Sequence, residues 1–435
     1  MRNTTLLTLP LVLVMLFATN SYAQLGSLGR KLKEKAADLM IEEIEGEESQ
    51  EETSAGEENT NSSSSVKGKK LTPPSVNDHL EQASMALQSA EYSNARFNIK
   101  EATRGVELEI GYQILEAMPT EAAGMAYVPD NDGVVSTGIG FIGLVISREY
   151  GDGDKMITAS IGNNSVFGAT YGYLLNSSYN SNEGNYKNVS LQGKRGTMAF
   201  DDENTYTLGV AFAQSSAFVL ECQGFSSEEE VMAAANDFDI STFEALLTDE
   251  GSDDGQSNDV NAYLSTAQSK YSSKDLEASR FELQRALTEV DIMIGKKILE
   301  MLPTELGDMK AIDTNDEYVA STAGFAGVYV QRIYESADQK KRAEVSLIDD
   351  SPMMAMVSAF LSSPLLMAVP GKQTIKIDGY RGMFEKTEDA DYNTFNISLP
   401  SNQSLLTINF TDVNETDANK FANMVPVGEI FTLVK

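Results

Sequence analysis

Apolar residues recur at intervals of three and four over Val76–Ala90 and Asn94–Met118, and past Pro119 they recur at intervals of two. The first spacing predicts two amphipathic helices with a short turn near Tyr92-Ser93, and the second predicts strands. Strands are expected near Ile139–Tyr150, Lys155–Ile161, Tyr186–Gln192, Lys194–Phe200, Thr205–Ala213 and Phe218–Gln223, with an apolar helix, Ser165–Leu175, among them. Ser226 or Ser227 then caps a helix ending near Asn236, whose first turn carries Glu228–Glu230 where the helix dipole favours acids. Successive short strands with tight turns favour an antiparallel sheet with helices laid on one face.

The same order returns further along. Ile110–Glu121 (IGYQILEAMPTE) and Ile294–Glu305 (IGKKILEMLPTE) share eight of twelve positions, against roughly one chance match from average composition. The register extends outward: Arg96-Phe97 matches Arg280-Phe281, Gly140-Phe141 matches Gly324-Phe325, and Arg148-x-Tyr150 matches Arg332-x-Tyr334. The second copy predicts strands Gly327–Tyr334 and Ala343–Ile348, a helix Ser351–Leu361, then strands near Gln373–Ile377, Gly382–Lys386, Thr394–Leu399 and Leu405–Phe410. Asn414 caps its last helix. The expected architecture is α+β: two tandem homologous domains, each an αα-hairpin followed by an antiparallel sheet with covering helices. Pro119 and Pro303 should end the long helices, because proline cannot donate the next backbone bond. Tyr92-x-x-Ala95 with Ala102 resembles half of a tetratricopeptide unit, but copy two has Leu276 and Ser279 at the first two positions. A plain αα-hairpin fits both copies.

This order of helical start, Leu-Pro turn, Gly-rich strands, helix start at Asp350-Ser351-Pro352-Met353 and late sheet–helix ending resembles that of secreted bacterial proteins. The resemblance covers both copies and is clearest in the second; copy one has Asn164-Ser165-Val166-Phe167 at the helix start. It implies tandem repeats and export, and brings no activity with it.

Residues 1–23 read as a secretory signal, with Arg2 at the start, an apolar run Leu6–Ala18 and a small-x-small site at Ser21-Tyr22-Ala23. The expected location is therefore periplasmic or extracellular. Residues 24–74 form a leader and linker. Leu25–Ile44 can place Leu28, Leu32, Ala36 and Leu39 on one helical face, which suits a partner or peripheral membrane contact. Glu42–Ser65 carries nine glutamates and no basic residue, and it has too little apolar surface to fold. Repeat 1 then occupies residues 75–248, an acidic linker residues 249–258 and repeat 2 residues 259–435. No later apolar run reaches spanning length; Ser358, Ser362, Ser363 and Pro364 interrupt the nearest, Met353–Val369.

Charge and rare residues narrow the chemistry. A net charge of −32 opposes nucleic acid and anionic lipid. The lone Cys222 sits in a strand-like stretch and forms no intrachain disulfide, and the lone His79 would have to carry any histidine-based metal site or triad. Gly138–Gly143 fits the G-x-G-x-x-G string, but Leu144–Tyr150 after it alternates like a strand and copy two does not keep the first glycine. The acidic stretches Asp130–Gly133, Asp152–Asp154 and Asp249–Gly255 lack the full spacing of a calcium loop and read as turns. Glu116, Glu121, Glu300 and Glu305 flank the helix-ending prolines, where a structural role outweighs paired-carboxylate catalysis. No nucleophile-elbow, P-loop or H-E-x-x-H string occurs. The remaining binding candidates are Arg148 with Tyr150 and Arg332 with Tyr334, polar–aromatic pairs that each share a sheet face. The expectation is an exported, non-catalytic binding or structural protein without cofactor or metal, whose partner is another protein or an envelope component. A hydrolase working through carboxylates without a recognised motif, or a membrane-surface protein, are the alternatives.

Overall fold

The computed structural model describes residues 72–136, 144–151, 153–162, 171, 174, 185–201, 204–212, 216–247, 259–320, 327–349, 372–388, 393–401 and 403–434. It is mixed α+β, with antiparallel sheets and helices. The glycine string at 138–143, nearly all of the two Met- and Tyr-containing apolar stretches (residues 165–175 and 351–361), the leader and the linker at 249–258 lie outside the described residues.

The first half opens with α1 (Val76–Gln88) and α2 (Tyr92–Ala117). The turn between them is one step earlier than the spacing predicts, at Ser89–Glu91, where Ala90 takes a left-handed φ of 56° and Tyr92 already begins the helix. α2 stops at Met118, before Pro119. A small hairpin follows, β1 (Glu121–Ala122) and β2 (Met125–Ala126), then a 3-10 turn at Pro129–Asn131. The main sheet comprises β3 (Gly133–Val135), β4 (Val145–Gly151), β5 (Met156–Gly162), β6 (Tyr186–Leu191), β7 (Lys194–Phe200), β8 (Thr205–Phe212) and β9 (Ser216–Gln223), in the order β3-β4-β5-β9-β8-β7-β6. The helix expected over Ser227–Asn236 is α3 (Glu228–Ala235), capped by Ser227 Oγ accepting from the Glu230 amide at 3.3 Å. A further helix, α4 (Ile240–Leu247), follows it.

The second half runs through α5 (Val260–Ser272), α6 (Leu276–Met301), β10 (Glu305–Leu306), β11 (Met309–Ala311), a 3-10 turn at Asp313–Asn315 and β12 (Glu317–Ala320). Then come β13 (Val328–Ser336), β14 (Arg342–Asp349), β15 (Lys372–Ile377), β16 (Tyr380–Glu388), β17 (Asn393–Ser401), β18 (Ser404–Thr411), α7 (Glu415–Ala422) and α8 (Val427–Leu433). Their sheet has the order β10-β11-β13-β14-β18-β17-β16-β15, with β12 paired to β13. Asn414 caps α7 by accepting from the Asp417 amide at 2.9 Å.

The period-two alternation of the strands places alternate apolar side chains under the helices. In the first sheet these are Ile146 and Tyr150 of β4, Ile157 and Ile161 of β5, Leu208 and Val210 of β8, and Phe218 and Leu220 of β9. The opposite face is not bare: Ala217 and Val219 of β9 form a second, smaller cluster with Tyr171 and Leu174, against which Val145 and Ala199 pack. The expectation of one covered face is therefore too simple for this sheet. The larger cluster is continuous through both halves, taking in Val106 and Ile110 of α2 and Leu283, Val290 and Ile294 of α6. Residues 66–435 form one compact unit, in which α2 lies against α6.

Candidate functional site

A helix leaves its last carbonyls without intrahelical donors. In both halves the sheet supplies those donors through the pairs singled out by sequence. Arg148 donates from Nη1 to the Met118 carbonyl at 3.3 Å, and the Tyr150 hydroxyl donates to the Pro119 carbonyl at 2.9 Å. Arg332 and Tyr334 do the same to Leu302 and Pro303, at 3.1 and 2.9 Å. Each guanidinium is also gripped bidentately by the acid just past the 3-10 turn. Arg148 Nε and Nη2 lie 2.8 and 2.6 Å from the Asp132 oxygens, and the Arg332 atoms lie 3.0 and 2.5 Å from those of Asp316. The Tyr127 ring sits over Arg148 at 4.3 Å.

All four residues are buried and lie on the helix-covered face of their sheets. Burial pushes both phenol groups well above their ordinary range. Burial works against the Arg148 charge, but the Asp132 carboxylate outweighs it and holds the proton more firmly. At Arg332 the Asp316 hydrogen bond dominates in the same direction. The arrangement is a clamp that fixes the end of each long helix to its sheet, with a cation where the helix dipole is negative. The polar atoms of these four residues face the chain's own backbone and acids.

A second polar cluster lies between α2 and α6. Arg96 reaches Asp291 of α6 at 2.7 Å and Asp349 of β14 at 2.6 Å, and all three side chains are nearly inaccessible. Ser404 in turn donates to Asp349. The matching arginine, Arg280, forms an ion pair with Glu277 of its own helix at 3.1 Å and donates to the Leu247 carbonyl at 3.1 Å. Its charge also acts on Glu107 of α2. Glu107 is completely buried, accepts from Ser136 at 2.6 Å, and is pushed up to about 7 by desolvation. The periodic pattern held a signal for this cluster: Arg96 precedes Glu107 by eleven residues, and Arg280 precedes Asp291 by eleven. Eleven residues are close to three helical turns, so each arginine shares a face with an acid. Two antiparallel helices of that kind can satisfy each other.

Elsewhere the reactive groups are contained. Burial pushes the Cys222 thiol up to about 12, so little of it is thiolate at neutral pH. His79 bonds Asn98 through Nδ1 at 2.9 Å and meets Phe97 edge-on. Glu300 is exposed and pairs with Lys297, while Glu121 and Glu305 begin β1 and β10. A hollow of about 330 Å³ over β7 and β8 is lined by Lys194, Arg195, Thr197 and Gly209 among others. Lys194 there is bonded to Glu244. Among the described residues no three His, Cys, Asp or Glu side chains are grouped to hold a metal ion, and no helix is long and apolar enough to cross a membrane. Comparison with family models, with curated proteins and with solved structures gives no match.

Proposed function

We propose that this chain is an exported, non-catalytic protein that binds a partner or serves a structural role in the periplasm or at the cell surface. The observation that carries this reading is the fate of the residues repeated in both halves. Arg148, Tyr150, Arg332 and Tyr334 are engaged in fixing the long helices to the sheets. The residues that match between the halves thus serve as joints within this one chain. Among the described residues the one carboxyl with a strongly raised affinity for its proton, Glu107, has no accessible surface on which a substrate could be met. A compact unit whose repeated polar residues face inward supports binding by its surface, where the chain's acidity of −32 favours cationic or divalent-bridged partners over nucleic acid.

The test has two arms. The N-terminus of the mature protein, determined after cell fractionation, should begin at Gln24 in the periplasmic or extracellular fraction. The purified protein should show no turnover in a panel of ester, glycoside, peptide and phosphate-ester substrates. Retention of residues 1–23 in a cytoplasmic protein would overturn export, and turnover that survives purification to homogeneity would overturn the non-catalytic reading.

A further inference from the structure

The joint between α2 and α6 has two equivalent stations, and they are in different states. At the first, Arg96 crosses from α2 to the acid on the facing helix, Asp291, at 2.7 Å. At the second, Arg280 of α6 faces Glu107 of α2 but bonds within its own half, to Glu277 one turn back and to the Leu247 carbonyl at the end of α4. The difference between the stations is the ion pair itself: Arg96 and Asp291 form one, whereas Arg280 and Glu107 do not, and Glu107 Oε1 and Arg280 Nη1 are buried without a hydrogen-bond partner among the described residues. A buried acceptor and a buried donor left idle are each costly, and opposite charges would satisfy both. Arg280 is held on its own side by Glu277 and the Leu247 carbonyl, and Glu107 by the Ser136 hydroxyl. Desolvation favours the neutral acid, Arg280 and the Ser136 hydroxyl pull the other way, and Glu277 adds to the desolvation. Among the described residues the charged groups acting on Glu107 are Arg280 and Glu277, both from α6, and Ser136 at the end of β3 is its bonded partner.

We propose that the α2–α6 joint is a proton-operated latch. While Glu107 is protonated, Arg280 rests on Glu277. When the proton leaves to solvent, Arg280 swings to Glu107 and closes a second interhelical ion pair like Arg96–Asp291. The matching station shows that this helix pair accommodates such a crossing at 2.7 Å. The latch closes as pH rises through neutrality, a range an exported protein meets outside the cell. It does not depend on what the protein binds.

The experiment uses the full chain and Glu107→Gln, which keeps shape and removes the titration. A carboxyl bound to its proton more tightly folded than unfolded stabilises the fold fully below the unfolded value of 4.5 and loses that advantage as pH rises to about 7. Relative to Glu107→Gln, the wild-type folding constant should therefore fall by up to ~300-fold between those limits and stay level above them. The infrared band of a buried protonated carboxylic acid should be present at pH 6 in the wild type and missing in the variant. Nuclear magnetic resonance of labelled arginine side chains should show one guanidinium shifting with a midpoint near pH 7 in the wild type, and that shift should be lost in Glu107→Gln. Parallel stability profiles for the two proteins, or no acid band, would remove the proton from Glu107. Arginine signals that do not move between pH 5.5 and 8.5 would remove the latch while leaving the proton in place. Should Glu107→Gln fail to fold, the infrared and arginine measurements on the wild type decide the matter by themselves.

Discussion

At the scale of single residues, the polar side chains that matter most here are those that close backbone and charge deficits. Tyr150 and Tyr334 each deliver a hydroxyl to a carbonyl that the preceding helix cannot satisfy and that proline leaves at a chain bend. Tyr150→Phe and Tyr334→Phe each remove one buried hydrogen bond and strand one acceptor, which costs about 1–2 kcal/mol. Denaturant titration should show that loss at either site, with an unchanged dependence on denaturant concentration. Arg96 has a larger role, because it neutralises two buried acids at once. Arg96→Met removes the guanidinium that Asp291 and Asp349 share, and removing one member of a buried ionic group costs about 3–5 kcal/mol. Adding Asp291→Asn and Asp349→Asn to that variant should restore part of the loss. A full loss in the triple variant would show that packing by the arginine stem matters more than the charges. Little of this was legible in the sequence. Period-two alternation shows that Arg148 and Tyr150 share a face, and it cannot show which face is covered. The eleven-residue Arg–acid spacing is visible in the chain, but it gains meaning only once two such helices lie antiparallel.

At the scale of elements, the repeated Ile-Gly…Pro-Thr-Glu stretch is a helix end fitted closely to a sheet. Proline stops the helix, and the glycine lets it approach. A Cβ on Gly111 would stand 2.4 Å from Val134 Cγ1 and 3.2 Å from Leu144 Cδ1, so Gly111→Ala must displace β3 or α2. A Cβ on Gly295 would meet Tyr318 Cβ at 3.1 Å, a tight contact that a small shift relieves. Helix propensity gains about 1 kcal/mol in both substitutions, whereas overpacking costs about 1–3 kcal/mol. Gly111→Ala should therefore lower the thermal midpoint, and Gly295→Ala should leave it close to the wild-type value. Equal effects would mean that the two halves use the glycine alike and that the closer approach at Gly111 carries no extra cost. Periodicity served well for elements of ordinary length: the strand expected over Lys194–Phe200 is β7 residue for residue, and α2 differs from the expected Asn94–Met118 by two residues at its start and one at its end. It missed the short ones. Two-residue strands such as β1 and β10, and the single-turn segments beside them, contain too few positions to show a period. The helices α4 and α8 were missed for another reason: Asp237 and Pro426 look like terminators, yet each lies where one helix ends and the next begins.

At the scale of the whole molecule, the question is whether a chain that repeats itself behaves as two bodies or one. Tandem repeats joined by an acidic linker suggest independent halves, and the contacts between α2 and α6 oppose that. The largest apolar cluster runs without a break from Val106 and Ile110 in the first half to Leu283 and Val290 in the second. Arg96, Asp291 and Asp349 place one charge from the first half among two from the second, all withdrawn from water. The Ser93 hydroxyl bonds the Leu433 carbonyl at 2.8 Å, and Tyr271 reaches Glu109, so both ends of the second half touch α2. A segment ending at residue 248 would expose the α6-facing side of α2 with Arg96 parted from Asp291 and Asp349, and a segment beginning at 259 would expose those two acids parted from Arg96. Each is a costly surface for a small domain. The full chain should therefore unfold residues 75–434 in one cooperative transition, seen alike by far-ultraviolet circular dichroism and tyrosine fluorescence. Segments 75–248 and 259–435 made separately should be loosely folded or self-associated, and mixing them should restore a single sharp transition. If each segment alone is monomeric and melts near the temperature of the full chain, the halves are independent domains. The interhelical charges would then be a consequence of their contact rather than a condition for folding.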